Sequence, residues 1–174
     1  MDAQPKYKAQ RANPVYADGR ATRLPDADTV AVGELKEDPH FYRGKMNGGW
    51  ARTFPPQVRL EEATMKRGQE RFGIYCTPCH GEGGEGNGMV AKRAEELQQG
   101  TWVPPTNLTQ DHLRQMAVGE LFNTISNGVS NMPAYGPQIA TADRWAIVMY
   151  LRALQRGHAS KTAGLAPPAA GGTN

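Results

Sequence analysis

The sequence predicts an all-α domain carried behind a long extended arm. Two stretches, Leu60–Tyr75 and a segment from Thr141 to Gly157, place apolar residues at helical spacing and lack the alternation of a strand. Residues 1–59 hold no sustained period of either kind, and prolines recur there at Pro5, Pro14, Pro25, Pro39, Pro55 and Pro56. With 20 glycines and 13 prolines in 174 residues, much of the chain should be irregular, and the length suits one domain plus extensions.

The arm, residues 1–59, carries Tyr7, Tyr16, Phe41, Tyr42, Trp50 and Phe54. Disordered linkers are poor in aromatics. The arm is therefore expected to lie on a partner with its aromatics in pockets, and Asp28–Val32 to add a short strand. Residues 1–60 hold ten Lys/Arg against seven Asp/Glu, so the basic excess of the chain, +3, resides here. That excess is small and scattered, which excludes a nucleic-acid-binding surface. No run of apolar residues approaches the length of a transmembrane helix. The first residues, Met1 to Lys6, lack the basic-then-apolar order of a leader, so a removed leader, and any lipid anchor on it, is expected upstream.

The first helix places Gly68, Phe72 and Cys76 on one face at i, i+4 and i+8. Glycine there admits a second helix, and the aromatic fills the space beside it. That helix runs into Cys76-Thr77-Pro78-Cys79-His80, a C-x-x-C-H pattern. The spacing suits one covalently bound haem c: the thiols of Cys76 and Cys79 add to the two vinyl groups, and His80 then stands beneath the iron. A zinc site would need a second pair of ligands, and a thioredoxin-like pair would need a βαβ context; neither is present. Both cysteines of the chain lie in the motif, so no structural disulfide can form. Thioether attachment takes place outside the bacterial cytoplasm, which sets the compartment.

The glycine-rich run Gly81–Met89 lacks the strand and the Lys-Ser/Thr of a phosphate loop and reads as a turn passing the haem edge. Val90–Gln99 should form a short helix. A proximal histidine donates its second N–H to a carbonyl, and Pro104 or Pro105 is the expected acceptor for His80. Short helices follow at Thr109–Met116 and Gly119–Asn127; the second turns Leu121, Phe122 and Ile125 toward the haem. For the sixth iron position, Met89 follows His80 too closely, Met116 ends a helix and Met149 sits in the closing helix. Met132 stands in a loop after a helix stop, 52 residues past His80, with Pro133 next to it. His112 is the rival of a different type. In the closing helix, Trp145, Val148, Leu151 and Leu154 form the buried face, and Arg144, Arg152 and Arg156 are expected in water. Residues 60–157 thus form the expected haem domain, and 158–174 a flexible tail.

The order of helix, C-x-x-C-H, glycine turn, proline loop, Met-Pro and Trp/Tyr helix resembles class I cytochrome c. A narrower resemblance rests on Gln4-Pro5-Lys6-Tyr7, Asp18-Gly19, Thr29-Val30-Ala31, Phe41-Tyr42-Arg43-Gly44-Lys45, Arg67–Phe72 and Asp143–Gln155. These are similar to the monohaem cytochrome c component of bacterial alternative complex III. That resemblance implies an electron-transfer subunit on the periplasmic face of the inner membrane. Its implied partners are a multihaem cytochrome, an iron–sulfur subunit, and a downstream oxidase or cytochrome c acceptor. It also implies that Cys76, Cys79 and His80 match the family's haem ligands and Met132 its distal methionine. Family members usually carry a lipid on an N-terminal cysteine, which this sequence lacks. The expected role is a one-electron relay and not an enzyme. The rivals are a free periplasmic cytochrome c, a cytochrome subunit of a periplasmic dehydrogenase, a haem enzyme with an open sixth site such as a peroxidase, and a structural clamp.

Overall fold

The computed structural model describes residues 4–98 and 100–164. It divides into two compact units, Met1–Lys36 and Glu37–Asn174. The first unit has no helix among its described residues. A loop within it is closed by an antiparallel bridge between Ala12 and Arg20. The strand expected at Asp28–Val32 is absent. Thr29 instead folds back on Asp26, donating both its N–H (3.2 Å) and its hydroxyl (2.6 Å) to that carbonyl. This satisfies locally the groups a strand would have left for a neighbour.

The second unit begins earlier than expected. Residues 37–59, read from the sequence as part of the arm, fold with the helical domain. Asp38 caps α1 (Pro39–Arg43), accepting from the N–H of His40 and Phe41. A hairpin of β1 (Lys45–Met46) and β2 (Gly49–Trp50) turns at Asn47-Gly48, whose positive φ values of 51° and 79° suit the tight turn that asparagine and glycine favour. Next along, Ala51 is fully buried. Its N–H donates to Gly44 O (2.9 Å), and its own carbonyl accepts from Gly119 N–H (2.8 Å).

The helices are α2 (Glu62–Tyr75), α3 (Thr77–His80), α4 (Met89–Glu96), α5 (Asp111–Gln115), α6 (Val118–Asn127) and α7 (Thr141–Gly164). The fold is thus the all-α arrangement expected, with one small hairpin added. Helices α2 and α7 cross at Gly68, where a Cβ would lie 2.0 Å from the Ala146 carbonyl oxygen and 3.0 Å from Tyr150 Cβ. Only glycine permits that approach. Beside it Phe72 packs on Tyr150, ring centroids 5.4 Å apart. On the other side of α7, Trp145 stacks on Phe122 of α6 at 4.3 Å and donates its indole N–H to Phe41 O (2.8 Å). Residues 37–58 are needed here, since without them the buried indole N–H would lose its acceptor.

Two of the arginines expected in water are engaged. Arg144 is buried, donating to Ile139 O (3.1 Å), Thr141 Oγ1 (3.0 Å) and Ser126 Oγ, with its guanidinium 4.8 Å from the Phe122 ring centre. Burial lowers its pKa. Arg152 donates to the carbonyls of Leu113, Arg114 and Met116 and so closes the C-terminal end of α5, where the helix leaves acceptors unpaired. A planar fork of donors can serve several carbonyls at once, an option the helical period does not reveal. Gly157 does not end α7, which continues to Gly164; residues 165–174 of the expected tail lie outside the described residues. Among the described residues no helix is long and apolar enough to cross a membrane.

Two glycines of α2 separate packing from propensity. Gly68→Val should lower unfolding stability by on the order of 3 kcal/mol, because the clash is with backbone. Gly73 has open space at its Cβ position, so Gly73→Ala should raise stability by about 0.5–1 kcal/mol. Urea unfolding of the two variants checks both signs.

Candidate haem-binding site

Helix α2 hands its last turn to the motif. Cys76 N–H still donates to Phe72 O (2.9 Å), while Cys79 N–H and His80 N–H both return to Cys76 O (3.1 and 2.8 Å). The motif is therefore one tight turn. Positions i, i+3 and i+4 share a face, so Cys76, Cys79 and His80 are presented together. Both cysteines are half-buried and unpaired with each other.

The glycine run is built against this turn. Gly86 N–H donates to His80 O (2.8 Å), Gly88 N–H to Cys79 O (3.0 Å), and Leu108 N–H to Gly84 O (2.7 Å). The run thus ties the motif to the proline loop as well as turning the chain. His80 Nδ1 donates to the carbonyl of Thr106, at 3.1 Å. The acceptor is one residue beyond the expected Pro104 or Pro105. The Pro105 carbonyl is turned toward Gly86, where a Cβ (φ +85°) would lie 2.3 Å from it. The two prolines set the course of the loop, and the next carbonyl meets the imidazole.

Burial holds the His80 imidazole below its ordinary pKa, and the Thr106 hydrogen bond only partly offsets this. The ring is neutral at physiological pH, with Nδ1 as donor and the Nε2 lone pair free for a metal. Burial pushes the Cys76 thiol up to about 12, with a smaller contribution from Cys79.

Met132 closes a tight turn with Val129. The two residues exchange backbone hydrogen bonds of 2.9 and 3.1 Å. The loop then returns to the end of α6 through Tyr135 N–H to Ile125 O (2.9 Å) and Gly136 N–H to Ser126 O (3.1 Å). Met132 is half-buried. The other methionines are disposed differently. Met89 is 82% exposed and Met149 lies in the core. Met116 and Met149 line a groove of about 960 Å³ between the start of α2 and the face of α7, and Cys76, Cys79, His80 and Met132 are not among its lining. His112 is exposed on α5.

Leu121, Phe122 and Ile125 are buried as expected of an apolar face. Phe122 has Trp145 stacked on its ring and the Arg144 guanidinium over it, so it is packed in the core between α6 and α7. Leu121 and Ile125 join the same cluster. Sequence reasoning overlooked Tyr135. Burial raises its phenol pKa, and the Cys79 and Cys76 thiols add to this. Its ring also meets Tyr75 edge-on at 6.3 Å. Its place three residues after Met132 was the available signal.

The donor set fits a covalently attached haem: two thiols and a neutral, oriented imidazole on one turn, and a thioether in a braced loop. The raised thiol gives a pH test on chain expressed without haem attachment. At pH 8 alkylation of Cys76 should run at least about tenfold slower in the folded chain than in urea, because its thiolate fraction is that much smaller. The gap should close as pH approaches 12. Peptide mass spectrometry of the labelled chain reads the rate.

Part of the chain is similar in sequence to known proteins. A relative, the cbb3-type cytochrome c oxidase subunit FixP of Azorhizobium caulinodans, is 30% identical over 93 residues. These are 53% of this chain but only 28% of the relative, so the chain corresponds to little more than a quarter of that protein. A chain of the reducing HAO-like protein complex of Kuenenia stuttgartiensis superposes with a TM-score of 0.46 and 20% identity, over 67% of this chain and 54% of that one. Residues 63–151, just over half of the chain and inclusive of the whole motif and Met132, match the family described as cytochrome C oxidase, cbb3-type, subunit III. The chain therefore belongs to this family of cytochrome c electron-transfer domains, which implies a covalently bound haem c.

Proposed function

We propose that the chain is a one-electron relay holding a single haem c, which Cys76 and Cys79 would attach by thioethers and whose iron His80 and Met132 would hold. The observation that carries the reading is the single turn presenting both thiols and an imidazole whose Nδ1 is held by the Thr106 carbonyl (3.1 Å). When bound, the haem supplies reversible one-electron exchange at iron. The protein's part is positional. Thr106 fixes the tautomer and ring plane of His80, and Gly86 lets the proline loop approach closely enough for it to do so. The Val129–Met132 turn holds the thioether, a soft donor matched to haem iron. If His80 and Met132 both held the iron, no position would remain for oxygen or peroxide, and the chain would serve as a relay and not as a peroxidase.

We place this relay on the periplasmic face of the bacterial inner membrane, in a quinol-oxidising complex of the alternative complex III type. It would pass electrons to a terminal oxidase or a soluble carrier. The residues similar to the monohaem cytochrome c of that complex support this, as does an arm, narrowed to residues 1–36, that exposes Tyr7, Val15, Leu24 and Val32. A multihaem cytochrome and an iron–sulfur subunit would be its neighbours. A second reading, a cytochrome subunit of a cbb3-type oxidase, is favoured by the similarity to FixP. Tagged purification from native membranes in mild detergent separates them. Recovery with multihaem and iron–sulfur subunits supports the first, recovery with a haem–copper oxidase supports the second, and a soluble red chain alone contradicts both.

Met132→Ala tests the closed site. The reduced wild type should resist carbon monoxide at neutral pH, while the variant should bind it rapidly. Its potential should fall by on the order of 0.1 V or more, within the ~0.8 V that axial ligation spans. Rapid binding by the wild type would indicate an open-site enzyme.

A further inference from the structure

The first unit has an inverted construction. Its loop from Asn13 to Arg23 is ordered by polar groups, while its apolar side chains face outward. Asn13, 7% exposed, is buried at the centre. It donates its N–H to Gly19 O (2.8 Å) and accepts Val15 N–H on its side-chain oxygen (3.0 Å). Ala21 N–H closes on Arg11 O (3.1 Å). The Asp18 carboxylate takes Arg20 N–H (3.1 Å) and both contacts from Arg23 (2.6 and 2.8 Å). The Arg23 guanidinium in turn lies 4.1 Å from the centre of the Tyr16 ring. Outside this scaffold, Val15 is 75% and Leu24 81% exposed, and Tyr16 and Tyr7 are exposed as well. Ordering a loop costs conformational entropy, and here no apolar burial among the described residues of the unit offsets it.

We propose that this loop is the docking element of the arm, seated on another protein in a small apolar pocket with an acidic rim. The inference rests on the complex-subunit reading above and names the partner's chemistry. Val15 and Tyr16 stand at the tip as the pocket-filling residues. Lys6, Lys8, Arg11 and Arg20 are exposed around it, and Asp18 is the one acidic residue from residue 4 to 25, already matched by Arg23. A rim of carboxylates on the partner complements that charge. A preformed loop loses little freedom on docking, which suits a shaped protein pocket. A bilayer surface has no use for such a fixed shape.

The test is co-purification of tagged holoprotein from native membranes, comparing wild type with Val15→Asp, Tyr16→Ala and the pair Arg11→Gln with Arg20→Gln. Val15→Asp and Tyr16→Ala should each reduce recovery of partner subunits about tenfold, as expected for pocket anchors. Covalent haem and its spectrum should be unchanged, which reports that the haem domain is folded. The paired arginine variant should release its partners at lower salt than wild type. Partner recovery equal to wild type in both tip variants overturns the proposal while leaving the complex-subunit reading intact. Wild type recovered alone overturns both. Binding of wild-type holoprotein to phosphatidylglycerol vesicles that is lost in Val15→Asp also overturns it, because the loop would then serve a lipid surface.

Discussion

The close crossing of α2 and α7 at Gly68 is the constraint on which the rest of the molecule depends. Backbone touches backbone there, with no room for a Cβ. This fixes where α2 ends, and Cys76 is the next residue after that end. The same α7 residues face two ways: Tyr150 packs on Phe72 of α2, and Trp145 stacks on Phe122 of α6. One helix thereby positions both the element that leads into the cysteines and the element that leads out to Met132. Residues 37–58 complete the arrangement by giving the Trp145 indole its acceptor.

Around this frame the site is made from irregular backbone. Three glycine-run hydrogen bonds join the motif to the proline loop, and the Thr106 carbonyl then orients His80. Loops built in this way supply rigid placement without regular structure, because each buried N–H and C=O finds a partner in a neighbouring loop. The Met132 loop is braced in the same manner against the end of α6. Tyr135, whose ring meets Tyr75 at the end of α2, links that loop to the start of the motif.

Much of this was legible in the residues themselves. C-x-x-C-H, the Gly68/Phe72 face and the Trp145 helix are local patterns with one economical meaning each. What escaped depends on contacts between distant segments. The spacing of Arg144 and Arg152 marked them as solvent-facing. Yet Arg144 finds acceptors on α6 and on the preceding loop, and Arg152 finds them at the end of α5. Thr106 replaced the prolines because the Gly86 contact turns the Pro105 carbonyl away. The place of residues 37–59 was hidden because Ala51 and Phe41 act through backbone groups, which carry no side-chain signature. The hairpin signal of Asn47-Gly48 was passed over in the sequence, and α7 ran past Gly157 because a single glycine does not stop a helix already held by packing.

The central claim is a haem held between His80 and Met132 by a protein that acts as an electron relay. Selective labelling of the methionine methyl groups in the reduced holoprotein, read by NMR, tests it most directly. One methyl of the seven methionines should be shifted far upfield by the porphyrin ring current, and that resonance should vanish in Met132→Leu. A spectrum with no shifted methyl, or one whose shifted methyl survives Met132→Leu, would contradict the account.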